Sequence, residues 1–153
     1  MGRETIMENT FLYFGYGSGL NLTMVEFRVN EPVKLMDKGE LKNYAFRFSR
    51  KNPDGSARGN LQPAENEYTL GLLYQIDEKK FEQLSQTEPE YNLKEFDIIT
   101  ENGVVKAFAF ICSHCETGIY PDLKYVENII SDAIAHNFPE DYIEKIRSQA
   151  PAK

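Results

Sequence analysis

The stretch Tyr13-Phe14-Gly15-Tyr16-Gly17-Ser18-Gly19-Leu20-Asn21 constrains this chain more than any other. Phe11 to Phe14 is a short apolar run suited to a buried strand. Asn21 can cap a helix that begins Leu22-Thr23-Met24. Glycines, a serine and a tyrosine therefore fill a strand-to-helix turn. Glycine has no Cβ, so such a turn can bring bare backbone up to a ligand. The helix start aims unpaired N–H groups and a partial positive charge at the same place. An anion-binding loop fits this pattern. A purely structural turn fits it too, and glycines alone do not separate the two.

Downstream, the pattern reads as strands in runs. A helix from Met24 to Val29 ends before Pro32. Tyr44, Phe46 and Phe48 alternate with Asn43, Ala45 and Arg47 in a strand over residues 41–50. Pro53-Asp54-Gly55 signals a turn. Residues 58–63 read as a short edge segment and 68–76 as a separate, largely buried strand. Asp77 caps a helix over 78–86, with Phe81 and Leu84 on its buried face. Strands at 94–100 and 104–113 flank Asn102-Gly103, the strongest hairpin signal in the chain. Pro121-Asp122 opens a helix whose buried face takes Val126, Ile129, Ile130, Ala133 and Ile134. A last helix carries Glu140 and Asp141 early and Lys145 and Arg147 late, matching the helix dipole. Few strand–helix alternations predict an α+β fold rather than a doubly wound sheet.

At 153 residues, residues 10–150 are expected to form a single domain, with 1–9 a flexible lead-in in which Met7 is an alternative start. The net charge of −7 disfavours nucleic acid and anionic membrane as partners. No apolar stretch approaches the roughly 20 residues that span a bilayer. Ile6 stands where a myristoylation signal wants Ser or Thr, and the N-terminus lacks a signal-peptide core. A cytoplasmic location is the expectation, as a monomer or homodimer.

Tyr16-Gly17-Ser18-Gly19-Leu20, after a strand near the N-terminus, resembles the Tyr-Gly-Ser-Asn-Leu signature of the γ-glutamylcyclotransferase family. Gly19 stands where that family usually has Asn. Leu84-Ser85-Gln86-Thr87-Glu88-Pro89 resembles its Leu-Asp-x-x-Glu-Gly segment, with Ser85 and Pro89 in place of Asp and Gly. Phe138-Pro139-x-x-Tyr142 is similar to its late Gly-Leu-Pro-x-x-Tyr stretch. The resemblance runs over residues 10–147. It implies a small mixed β-barrel or strongly bent sheet with flanking helices.

The resemblance also implies a reaction: cyclisation of a γ-glutamyl amine or γ-glutamyl amino acid to 5-oxoproline, with release of the free amine. Glu88 would be the general acid/base, moving a proton from the substrate ammonium to the leaving nitrogen. Tyr16, Gly17, Ser18, Gly19, Leu20 and Tyr125 would bind the substrate, the loop N–H groups serving its carboxylate or the oxyanion. Loop and Glu88 should face one another across one cavity. No metal or cofactor is required, because the nucleophile belongs to the substrate. The alternative is a non-catalytic module holding a small carboxylate in the same cavity.

Other residues admit two readings each. Glu90 is the rival to Glu88. Arg28 lies where the family often has Arg, and equally suits a surface ion pair. Gly59-Asn60-Leu61 falls where the family lines its cavity, and Tyr125 resembles a pocket-closing tyrosine or packs at a helix start. Cys112-Ser113-His114-Cys115 is a lone CxxC, and its two histidine candidates, His114 and His136, lie far apart in sequence. Reduced thiols are the expectation there, rather than a redox or zinc site.

Overall fold

The computed structural model describes residues 9–150. Five strands, β1 (Thr10–Gly15), β2 (Lys34–Lys51), β3 (Ala57–Asp77), β4 (Asn92–Thr100) and β5 (Gly103–Ile111), close into a barrel in the order β1-β3-β2-β4-β5. Neighbours are antiparallel except β1 and β5, which run parallel with Tyr13 beside Phe108. The barrel is therefore mixed. Helices α1 (Leu22–Val29), α2 (Phe81–Gln86), α3 (Leu123–Ala135) and α4 (Glu140–Arg147) flank it, giving the α+β architecture. Phe14, Leu73 and Ile98 meet around Gly39 in the interior, and Val126, Ile129, Ile143 and Ile146 extend the core beneath α3 and α4. Among the described residues no helix is long and apolar enough to cross a membrane. The lead-in at 1–9 lies outside the described residues, Asn9 excepted.

Several elements differ from the sequence expectations. Strand β2 begins at Lys34, and the two segments at 58–63 and 68–76 are one strand, β3. The polar stretch 63–67 reads as a break because it carries no buried face. The ladder nevertheless continues past it: its register shifts between Lys42 and Tyr44, and Asn43 and Asn66 both adopt φ of 67°. Asn66 N–H donates to Asn43 Oδ1 at 3.1 Å, so the two asparagines carry the irregularity together.

The helix expected from Glu78 starts as a 3₁₀ turn, Glu78–Lys80, with Asp77 accepting from Lys79 N–H at 2.9 Å. The β4–β5 hairpin turns on Glu101-Asn102. Gly103, at φ 116°, already pairs with Thr100, so the turn sits one residue earlier than the Asn-Gly signal. Ile134 is 56% exposed, because α3 rests on the barrel through Val126, Ile129 and Ala133.

Candidate active site

The end of β1 folds tightly against β3. A Cβ at Gly15 would overlap the Gly19 carbonyl and stand 2.9 Å from the Tyr74 ring. Gly17 has φ of 59°, a conformation open to glycine at little cost. Residues Gly17–Leu20 form a 3₁₀ turn, closed by Gly19 N–H donating to Tyr16 O at 2.8 Å. Two phenols anchor the turn: Tyr74 donates to Gly19 O at 2.7 Å and Tyr16 to Phe110 O at 2.6 Å. Asn21 Oδ1 accepts from Met24 N–H at 2.9 Å and caps α1. The α-helix thus begins after the turn. The N–H groups at Gly17 and Ser18 belong to the start of the 3₁₀ segment, where a helix leaves its donors without intrahelical acceptors.

Glu88 is placed by a second tight turn. Helix α2 ends at Gln86, and Tyr91 N–H donates to Glu88 O at 2.9 Å. Pro89 therefore occupies the second position of a β-turn, where its fixed φ is favourable. Glu88 is 8% exposed. One carboxylate oxygen pairs with Arg58 of β3, and the other lies 3.2 Å from Arg28 Nη2. Two guanidinium groups so offset the desolvation of one buried charge. Arg28, in the last turn of α1, also donates to Ser18 Oγ at 3.0 Å. Arg58 lies over the Tyr91 ring, 5.0 Å from its centroid. Glu90 points elsewhere: it is exposed and pairs with Arg50 at 2.6 Å.

The opposite wall is organised by Gly59. Its N–H donates to Tyr125 Oη at 3.0 Å and its carbonyl accepts from Tyr91 at 2.7 Å. A Cβ there would overlap the Phe46 ring. The next residue, Asn60, is fully buried. Its side chain accepts from Cys112 N–H at 3.0 Å and donates to Cys112 O at 2.8 Å, which ties β3 to the end of β5. Burial pushes the phenols of Tyr13, Tyr91 and Tyr125 up from their ordinary pKa, and Tyr16 well up. All four are neutral hydrogen-bonding groups at neutral pH.

These walls enclose one cavity of about 860 Å³. Tyr16, Gly17, Ser18, Glu88 and Tyr125 line it together. Gly19 and Leu20 are not on its wall: the Gly19 carbonyl is turned to Tyr74, and Leu20 is buried in the core. Arg28 and Gly59 do line it, as do Arg58, Tyr91, Tyr13 and Asp132, which sequence reasoning did not single out. Arg58 immediately precedes the glycine that was singled out, the one signal that pointed to it. Cys112 is buried and Cys115 exposed, both free thiols. Among the described residues no group of three or more His, Cys, Asp or Glu side chains is placed to hold a metal ion.

No protein-family model matches this chain, and no curated protein matches its sequence. Its fold, however, is similar to solved ones. A γ-glutamyl cyclotransferase superposes with a TM-score of 0.82 at 18% identity, over 94% of this chain and 90% of that one. The uncharacterized protein LOC79017 from Homo sapiens superposes at 0.83 and 19%, over 95% and 91%. An AIG2-like protein from Mus musculus superposes at 0.52 and 15%, over 69% and 79%. At such identities the likeness is one of architecture. The chain has the γ-glutamylcyclotransferase-like fold: a closed five-stranded mixed barrel with flanking helices.

Proposed function

We propose that this protein cyclises a γ-glutamyl amide to 5-oxoproline and releases the free amine, with no metal or cofactor. One observation carries the reading: the Glu88 carboxylate and the Gly17–Ser18 turn face one cavity and are joined through Arg28. A Glu88 directed away from the turn would instead have favoured a binding module without chemistry.

The glutamyl end of the substrate carries an ammonium and a carboxylate. Arg28, with the N–H groups of Gly17 and Ser18, suits the carboxylate. Glu88 suits the ammonium, which takes the place of an arginine as its counter-ion. Glu88 then accepts a proton from the ammonium. The free α-amine attacks the γ-carbonyl carbon and a C–N bond forms. The tetrahedral intermediate carries an oxyanion, which the N–H groups of the turn would stabilise where Arg28 alone holds the carboxylate. It collapses as the original amide C–N bond breaks; Glu88 gives the first proton to the leaving nitrogen, then takes the second proton of the ring nitrogen and passes it on, so the amine departs as its ammonium. Atoms balance without water or an oxidant. The cavity's main contribution is to fold the substrate so that amine and carbonyl meet.

A mass-spectrometric screen of γ-glutamyl amides for 5-oxoproline tests this reading. The expected result is release from at least one amide by the wild-type chain and loss of it in Glu88→Gln. Absence of 5-oxoproline across γ-glutamyl amino acids and γ-glutamyl amines would overturn it.

A further inference from the structure

Cys112-Ser113-His114-Cys115 follows the end of β5 and lies outside the lining of the cavity. These are the chain's 2 cysteines. The fold ties both ends of the segment to β2 and β3. Asn60 Oδ1 accepts from Cys112 N–H at 3.0 Å. Asn60 Nδ2 donates to Cys112 O at 2.8 Å and to Cys115 Sγ at 3.5 Å. One residue further on, Glu116 N–H donates to Ser49 O at 2.8 Å. A single buried side chain therefore touches both cysteines, and the backbone bends at Ser113 between them. The Cys112 thiol lies 3.7 Å from the His114 carbonyl oxygen, so it points along the loop at the peptide that leads into Cys115. Cys112 is buried and Cys115 is exposed.

We propose that Cys112 and Cys115 form a reversible dithiol–disulfide site, oxidised by low-molecular-weight disulfides, with Cys115 attacking and Cys112 resolving. The site is independent of the reaction in the cavity. Access decides the order, because only the exposed Cys115 meets a reagent from solvent. Cys115 gives up its proton, and its thiolate attacks one sulfur of the small disulfide. The reagent's S–S bond breaks, and the first thiol leaves with that proton. Turning the Cys115 side chain about its Cα–Cβ bond carries its sulfur off Asn60 and towards the Cys112 thiol. Cys112 then gives up its proton and attacks Cys115 Sγ. The mixed disulfide breaks, and the second thiol leaves with the second proton. The protein dithiol is oxidised and the small disulfide is reduced, so atoms and electrons balance. Asn60 Nδ2 loses its contact with Cys115 in the oxidised form. Asn60 directly follows Gly59, whose N–H and carbonyl hold Tyr125 and Tyr91. The two redox forms therefore differ one residue away from the cavity wall.

The test treats the full chain with bis(2-hydroxyethyl) disulfide and reads free thiols and intact mass. Wild type should lose both thiols and remain a monomer, lighter by two hydrogen atoms and free of adduct, and dithiothreitol should restore both thiols. Cys112→Ser should stop at the mixed disulfide on Cys115. Cys115→Ser should react at least about tenfold more slowly than Cys112→Ser, because its remaining thiol is buried. The equilibrium constant for the disulfide should be about tenfold or more larger in the native chain than in concentrated urea, because the fold holds the pair together. Wild type that keeps both thiols, carries an adduct on each cysteine, or links into dimers through Cys115 overturns the proposal without needing any variant to fold. An equal or smaller constant in the native chain overturns the part assigned to Asn60 and the loop. Each of these results leaves the cyclisation reading untouched.

Discussion

Arg28 Nη2 stands 3.2 Å from the Glu88 carboxylate, and the same nitrogen donates to Ser18 Oγ at 3.0 Å. A residue of α1 thus joins the turn after β1 to the turn after α2. The two turns are far apart in sequence; each closes on a short-range hydrogen bond, and the first is also anchored by Tyr74 and by the Phe110 carbonyl. The arginine sets their separation. Because Arg58 takes the second oxygen, Glu88 is held from two sides and its direction is defined before any substrate arrives.

Glu88→Gln should reduce 5-oxoproline release by at least about 10²-fold, the scale of a general acid–base group. The amide keeps the shape of the carboxyl, but it leaves Arg28 and Arg58 side by side without their shared counter-charge. A stability loss of about 1–3 kcal/mol is expected, moderated by the exposure of Arg58. Glu90→Gln removes an exposed partner of Arg50 and should cost about 0–1 kcal/mol with turnover unchanged. Equal turnover by Glu88→Gln and wild type would exclude the mechanism.

The glycines of the turn are not equivalent. Gly15→Ala meets the backbone carbonyl of Gly19, which cannot yield as a side chain can, and should cost about 1–3 kcal/mol or more. At Gly19 the nearest atom to a new Cβ is Tyr13 Oη at 3.5 Å, an ordinary contact. Gly19→Ala, and Gly19→Asn as in the related signature, should fold with thermal midpoints close to wild type. Thermal melts of the three variants check this, and a Gly19→Ala as damaged as Gly15→Ala would contradict the packing described here.

Asn60→Ala should destabilise by about 2–4 kcal/mol, because Cys112 N–H and C=O both lose their partner in a buried site. Urea unfolding should show a lower midpoint with an unchanged slope. A change below about 1 kcal/mol would mean that water or backbone relaxation replaces the amide.

Alkaline pH should unfold the protein. Burial raises the phenols of Tyr16, Tyr74, Tyr91 and Tyr125 above the ordinary value of 10.0. Above pH 10 the unfolded chain therefore gives up protons that the native chain keeps. Native stability is full below that pH and falls as pH rises through and beyond it. Tyrosinate absorbance and loss of circular dichroism should appear together in a pH titration. Ionisation of these phenols at about 10 with the fold intact would count against their burial.

Local hydrogen bonding made much of this protein legible from its residues. The Asn21 cap, the Asp77 cap, the break after Gln86 and the β4–β5 hairpin each depend on contacts within a few residues, so composition and spacing specify them. The glycine turn was legible as a candidate for the same reason, whereas Glu88 stood out only through the resemblance of Leu84–Pro89 to a family segment. Strand continuity was not: β2 and β3 run past Asn43 and Asn66 because paired irregularities on two strands compensate one another, which no single stretch displays. Arg58 stood out in the sequence only as the neighbour of Gly59, because Glu88 meets it through the folded barrel and not through a local contact. The pairing of Arg50 with Arg58 and of Phe48 with Gly59 sets which β3 side chains face the cavity. A one-residue slip would turn Arg58 to the other face. Which charges meet at Glu88 is therefore decided by long-range register, a property of the folded sheet rather than of any segment within it.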